Sequence, residues 1–204
     1  MKHSLFALVL AAATLIAVPS AQANLILFHV NLSGANEVPP TGSPGTGFAD
    51  LTLDTIAETL LGHIEFSGLI APTTAAHIHC CLASPFLTGV NVGVATLVPA
   101  FPGFPLGVTS GIDNFLLNLN SASAYNPAFV TLQGSLATAE VSFINGLVAG
   151  ETYLNIHTAA PNGFPGGEIR GFVTRLSVPE PMTSMLLALG LAAAGFVLRR
   201  REVS

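Results

Sequence analysis

Tryptophan is absent, and only 8% of the 204 residues are charged, about a third of the roughly 25% usual in soluble domains. So little charge excludes an intrinsically disordered chain, which would be polar and charged. Only six Lys or Arg occur, and the formal net charge is −5. That deficit excludes nucleic acid as a partner, since phosphate binding needs clustered basic side chains. Long apolar runs are confined to the two chain ends, which excludes a polytopic membrane protein. Catalytic signatures are missing too: there is no G-x-S-x-G, P-loop, H-E-x-x-H or C-x-x-C. What is plentiful is Gly, with 20 residues, and Pro, with 14. That is too many for a helical bundle.

Residues 1–23 read as a secretory signal peptide. A short start with Lys2 precedes the apolar run Leu5 to Val18 and the sequence Ala21-Gln22-Ala23. The run is too short for a lasting transmembrane anchor. The mature chain is expected to begin at Asn24, after passage through the secretion translocon.

Residues 178–204 form a second appendage. Val178, Pro179, Glu180 and Pro181 precede an uncharged stretch, 182–198, then Arg199, Arg200 and Arg201. Such a stretch makes a minimal single-span helix of about 25 Å. The arginines hold its far end in the cytoplasm. This order resembles the PEP-CTERM sorting signal of Gram-negative bacteria. The resemblance implies an exosortase-type enzyme that cuts near Pro-Glu-Pro. The span is then a transient membrane address, and the product is a cell-surface or extracellular protein.

The body, residues 24–177, is long enough for one buried core. It holds two basic against nine acidic residues, a net of −7, so anionic polymers are disfavoured as partners. Period-two alternation marks strands at 25–32, 48–53, 60–66, 75–80, 90–98, 115–119, 129–132, 153–158 and 169–176. Gly and Pro clusters separate them. This pattern predicts an all-β fold, an antiparallel β-sandwich with less than a fifth helix. The apolar spacing of 138–147 fits one or two helical turns but is ambiguous.

Three segments stand out: Leu32-Ser33-Gly34-Ala35-Asn36-Glu37-Val38-Pro39-Pro40, Thr74-Ala75-Ala76-His77-Ile78-His79, and Tyr153-Leu154-Asn155-Ile156-His157-Thr158 followed by Gly167-Glu168-Ile169-Arg170-Gly171. In this order they resemble a CHRD domain, the module named for repeats in chordin, over about residues 27–176. The resemblance implies an extracellular all-β domain. It points to a non-enzymatic module that binds an extracellular polymer or protein at the cell surface or in the matrix.

Strand parity places His77 and His79 on one face, and His157 on the same face as Tyr153 and Asn155. If the two strands are neighbours, three imidazoles converge, and imidazole suits copper or zinc. Cys81 joins the His face if its strand continues. H-x-H on one strand, a later strand ending in His and a following Arg also resemble the copper half of Cu/Zn superoxide dismutase, a Greek-key β-sandwich. That likeness makes His77, His79 and His157 copper ligands and Arg170 an anion-guiding residue. Between His79 and Val90 there is no His or Asp to build the zinc half, so it supports a mononuclear site at most. The alternative is structural, with the imidazoles tying strand ends to a loop.

Other residues read more plainly. His29 and His63 share parity with Asn31 and Glu65, on a solvated face. Glu168 and Arg170 share a strand face and are expected as a surface ion pair worth about 0–1 kcal/mol. For Cys80-Cys81 a vicinal disulfide, a bond to another chain, thiolate ligation and a buried thiol pair all remain open.

Overall fold

The structure, a computed structural model, describes residues 25–82, 89–177 and Gly190. The expected signal peptide lies outside the described residues, as does the expected span 182–198 apart from Gly190. Among the described residues, no helix is long and apolar enough to cross a membrane.

The antiparallel all-β architecture is present. Among the described residues eight strands run as β1 (Leu25–Ser33), β2 (Thr46–Asp54), β3 (Thr59–Ser67), β4 (Thr73–Cys80), β5 (Gly111–Asn118), β6 (Thr152–Thr158), β7 (Ile169–Phe172) and β8 (Thr174–Arg175). They form one continuous sheet, ordered β4-β6-β7-β1-β2-β3-β5, with β8 also paired to β1. The sheet curls into a half-barrel, so one sheet supplies both walls of the core.

Alternation decides which face goes inward. Phe28, Val30 and Leu32 of β1 are buried, as are Ala49, Leu51 and Leu53 of β2. The register stacks them in rows: Phe28 opposite Leu51, Leu51 opposite Gly62, and Gly62 opposite Phe115. Gly62 has no substitute in its row, because a Cβ there would overlap the Phe115 ring. The β2–β3 turn is closed by Asp54, whose Oδ1 accepts from the Ile56 and Ala57 amides at 2.9 Å each.

Two segments depart from the strand expectation. Residues 129–132 lie in a helix, α1 (Pro127–Gln133). Its Asn126 cap accepts from the Ala128 amide and Pro127 fills the first turn, a start signal that outweighs apolar alternation over four residues. Residues 90–98 pair only through single bridges, at Val94 and Thr96. Gly93 and Pro99 break the ladder there. The ambiguous stretch 138–147 falls within α2 (Leu136–Ala149), opened by a capping box of Ser135 and Thr138. Ala139, Phe143, Gly146 and Leu147 are its buried face, at helical spacing. The helices hold 7 and 14 residues, under a fifth of the body.

Cys80 and Cys81 are bonded to each other across a cis peptide, with Cα atoms 3.0 Å apart. Of the four readings open for the pair, the vicinal disulfide is the one adopted. Both sulfurs lie against the Ser142 carbonyl of α2, at 3.9 and 3.5 Å.

Candidate metal centre

β6 lies between β4 and β7, and all seven of its residues are buried. Leu154 and Ile156 face the apolar core. Tyr153, Asn155 and His157 face the other way, under a roof of loops. In the β4–β6 register His77 lies opposite Asn155, His79 opposite Tyr153, and Ala75 opposite His157. His157 is therefore the diagonal neighbour of His77, a distance that long side chains bridge.

The three imidazoles converge. Their ligand nitrogens all lie within 4.8 Å of one another. His77 is 4.6 Å from His157 and 5.0 Å from His79 between ring centroids. All three are buried. Cys81 is not among them: its sulfur is tied to Cys80 on the side of α2.

Backbone carbonyls engage two of the rings. His157 Nδ1 lies 2.8 Å from the Pro165 carbonyl, and His79 Nδ1 lies 2.7 Å from that of Val92. A carbonyl only accepts, so His157 Nδ1 carries the proton and its Nε2 keeps a lone pair, whereas neutral His79 has acceptor oxygens at both nitrogens and donates to one of them. A ring N–H held by a backbone carbonyl fixes the orientation of the imidazole, as it does in metal-ligating histidines. His157 Nε2 and His77 Nδ1 are buried with no hydrogen-bond partner. Buried polar atoms are rarely left so. The Asn155 side-chain amide lies 3.0 Å from His79 Nε2. The amide oxygen of Asn155 is the atom that faces His79, and its NH2 group is turned to the Glu37 carboxyl.

Burial keeps the cluster uncharged. His77 is pushed down to about 3 by desolvation, with His157 and His79 adding repulsion. His79 falls to about 4 for the same first reason, opposed by its hydrogen bond to Val92. His157 is lowered by burial, against the pull of Pro165. At neutral pH all three rings are uncharged, each with one N–H and one lone-pair nitrogen.

Arg170 is not a surface residue. It is fully buried beside Asn155 in the β6–β7 register. Its Nε donates to the Asn36 carbonyl at 2.8 Å, and Nη1 donates to Asn91 Oδ1 at 3.0 Å. Its guanidinium lies 4.3 Å over the Tyr153 ring, which stacks on His79 at 4.5 Å. The expected surface pair with Glu168 is overturned. Glu168 is also fully buried, and accepts from Ser43, Thr158 and the Ile70 amide at 2.5, 2.5 and 2.7 Å. The acid nearest Arg170 is Glu37, 3.8 Å away. Burial raises Glu37 to about 7, against the attraction of Arg170. An arginine enclosed in this way holds loops 34–41 and 89–92 over the histidines rather than guiding an anion from solvent.

Sequence reasoning missed Glu37 and Asn155 as neighbours of the cluster. Parity did put Asn155 on the His157 face. Glu37 gave no sign beyond its place in the Leu32–Pro40 motif.

The three sequence segments thus meet at one place: the loop with Asn36 and Glu37, the His-x-His strand, and the strands with Tyr153 to His157 and Glu168 to Arg170. Residues 28–173 match the CHRD domain family. The chain belongs to the CHRD family. Residues 177–201 match the PEP-CTERM protein-sorting motif. This CHRD protein is therefore exported and sorted by an exosortase-type system to the cell surface of a Gram-negative bacterium. No curated protein and no solved structure matches the chain.

Proposed function

We propose that this exported CHRD domain binds one copper or zinc ion through His77 Nδ1, His79 Nε2 and His157 Nε2. The observation that carries this reading is the pair of buried, unpartnered nitrogens on His77 and His157 within the cluster. An all-imidazole, uncharged donor set fits borderline transition metals rather than Ca²⁺ or Mg²⁺. Metal–nitrogen bonds of 2.0–2.1 Å need donors about 3.5 Å apart in trigonal or tetrahedral geometry, so ring movements of about 1 Å close the site. Such a protein sequesters or carries the ion at the cell surface. The same three side chains are the copper ligands in the dismutase comparison, which supports copper over zinc.

The test is titration of Cu(I), Cu(II) and Zn(II) into the metal-free protein, with bound ion counted by elemental analysis. One ion per chain is expected. His77→Ala and His157→Ala should each weaken it at least about 100-fold, while His29→Ala, on β1 and outside the cluster, leaves it unchanged. Equal weak binding by the wild type and all three variants would return the histidines to a purely structural role.

We also infer that the C-terminal segment is removed on sorting. In an exosortase-bearing host the mature protein should lack Met182 to Ser204, and Glu180→Ala should leave the longer form in the membrane. Intact mass decides the matter: a secreted product that still carries Arg199 to Arg201 contradicts it.

A further inference from the structure

A second polar constellation lies on the solvent face of β1, β2, β3 and β5. The register aligns His29, Asp50, His63 and Asn114 in one row across four strands, and Asn31, Phe48, Glu65 and Ile112 in the next. Phe48 lies between the two imidazoles, 6.2 Å from His29 and 5.9 Å from His63 between centroids. Three rings thus form one strip across the strands.

All four ring nitrogens of that strip are engaged. His29 Nδ1 meets Asp50 at 2.6 Å, and Nε2 meets Asn31 at 3.2 Å. His63 Nδ1 meets Asn114 at 2.8 Å, and Nε2 meets Glu65 at 3.0 Å. With its nitrogens occupied, each ring is held in a fixed orientation beside Phe48. The two imidazoles remain about a third exposed, and Asp50 and Glu65 about half. Beside the strip runs a groove of about 550 Å³, lined by Asn31, Phe48, Glu65, Ser67, Ser110 and Ile112 among others. That size falls within the roughly 300–1,000 Å³ of small-ligand sites.

We propose that this strip and groove bind an uncharged polysaccharide. A pyranose ring has an apolar C–H face, which stacks on flat aromatic surface, and a rim of hydroxyls, which needs planar acceptors and amides. Phe48 with its flanking imidazoles supplies the first, and Asn31, Asp50, Glu65 and Asn114 supply the second. Charge narrows the class. Among the described residues no Lys or Arg lines the groove, Glu65 does, and Asp50 stands in the neighbouring row, so uronic-acid, sulfated and nucleic-acid chains are disfavoured. The metal reading plays no part in this, because the His77 cluster lies on other strands.

The probes are cellohexaose and laminarihexaose, with a galacturonate hexamer as the anionic control. Isothermal titration is run on the full chain in a zwitterionic, sugar-free detergent. One or both neutral hexamers should bind. Phe48→Ala should weaken binding at least tenfold, and Phe48→Tyr should keep it within about threefold. Glu65→Gln with Asp50→Asn, both exposed, should weaken it comparably and covers the case in which Phe48→Ala fails to fold. Copper or zinc binding should be unchanged in every folded variant. Failure of both neutral hexamers to bind overturns the proposal. So does binding that survives in the variants. Tighter binding of galacturonate, or capture of an extended peptide on the β5 edge instead, overturns it as well.

Discussion

Arg170→Met is expected to cost about 3–5 kcal/mol of folding stability at pH 8, the usual result of removing one partner of a buried ion pair. The side chain is fully buried and is the largest of the deeply buried residues. Its loss removes donors to Asn36 and Asn91 and the cation over Tyr153. It also leaves Glu37 buried without a counter-charge. That last part depends on pH. Glu37 already sits near 7 with Arg170 present, and without the guanidinium it is raised further. At pH 5.5 Glu37 is protonated in the variant, and the cost should shrink by at least about 1 kcal/mol. Glu37→Gln in the Arg170→Met background should recover stability at pH 8 and change little at pH 5.5. Urea unfolding followed by far-UV circular dichroism measures the wild type and both variants at each pH. A penalty below 1 kcal/mol, or one that does not vary with pH, would show that the loops are held by something other than this pair.

The sequence was legible where period-two alternation was long and uninterrupted. β1, β2 and β3 alternate over nine residues each, and their inward faces follow from parity alone. That His77 and His79 share a face, and that His157 shares one with Asn155, was legible for the same reason: i and i+2 share a face, whatever the partner strand. What parity does not give is which strands are neighbours. β4 and β6 are 71 residues apart in sequence, from Cys80 to Thr152, and their pairing is a tertiary fact. Hence the burial of Glu168 and Arg170 stayed hidden. Charged side chains at alternating positions look solvated until loops 34–41 and 89–92 are placed over them. α1 was hidden by a different competition. Phe129, Val130 and Leu132 carry strand-like side chains, and only the Asn126–Pro127 start and Gly134 in the left-handed region, φ 90°, mark a helix. Cys81 illustrates a third limit. Parity would place it with His79, but its bond to Cys80 turns its sulfur toward α2.

Acid should unfold the metal-free protein unusually early, and the histidine cluster is the cause. His77 and His79 are held near 3 and 4, and His157 is also lowered, against roughly 6.5 in an unfolded chain. Below about pH 6.5 the unfolded state takes up protons that the folded state refuses, so stability falls as pH drops. His77 and His79 each contribute of the order of a few kcal/mol across that window, against a total of roughly 5–15 kcal/mol for a domain, and His157 acts in the same direction. Glu37 acts in the opposite direction. Its folded value near 7 lies above that of an ordinary carboxyl, so it subtracts stability as pH rises from about 4.5 to 7. His29 and His63 are raised, chiefly by Asp50 and Asn114 respectively. They stabilise below 6.5 and lose that contribution as pH rises through their folded values, an effect kept small by solvent. Asp113 and Glu140 are also raised by burial and act with Glu37, and against these three carboxyls the lowered histidines make stability fall as pH drops below about 6.5. His77→Leu removes one of the refused protons and should flatten the acid limb by about 1.4 kcal/mol per pH unit between 4 and 6. Zn(II) or copper should hold the ligands unprotonated, adding stability at pH 7 that disappears as protons compete for the lone pairs. Histidine ring NMR separates the two groups directly: His29 and His63 titrate above 6.5, while His77, His79 and His157 do not titrate before the chain unfolds. Stability that stays flat from pH 7 to 4 would mean that water or protons reach the cluster freely, and with that its capacity to keep three bare imidazole nitrogens poised for a metal would be gone.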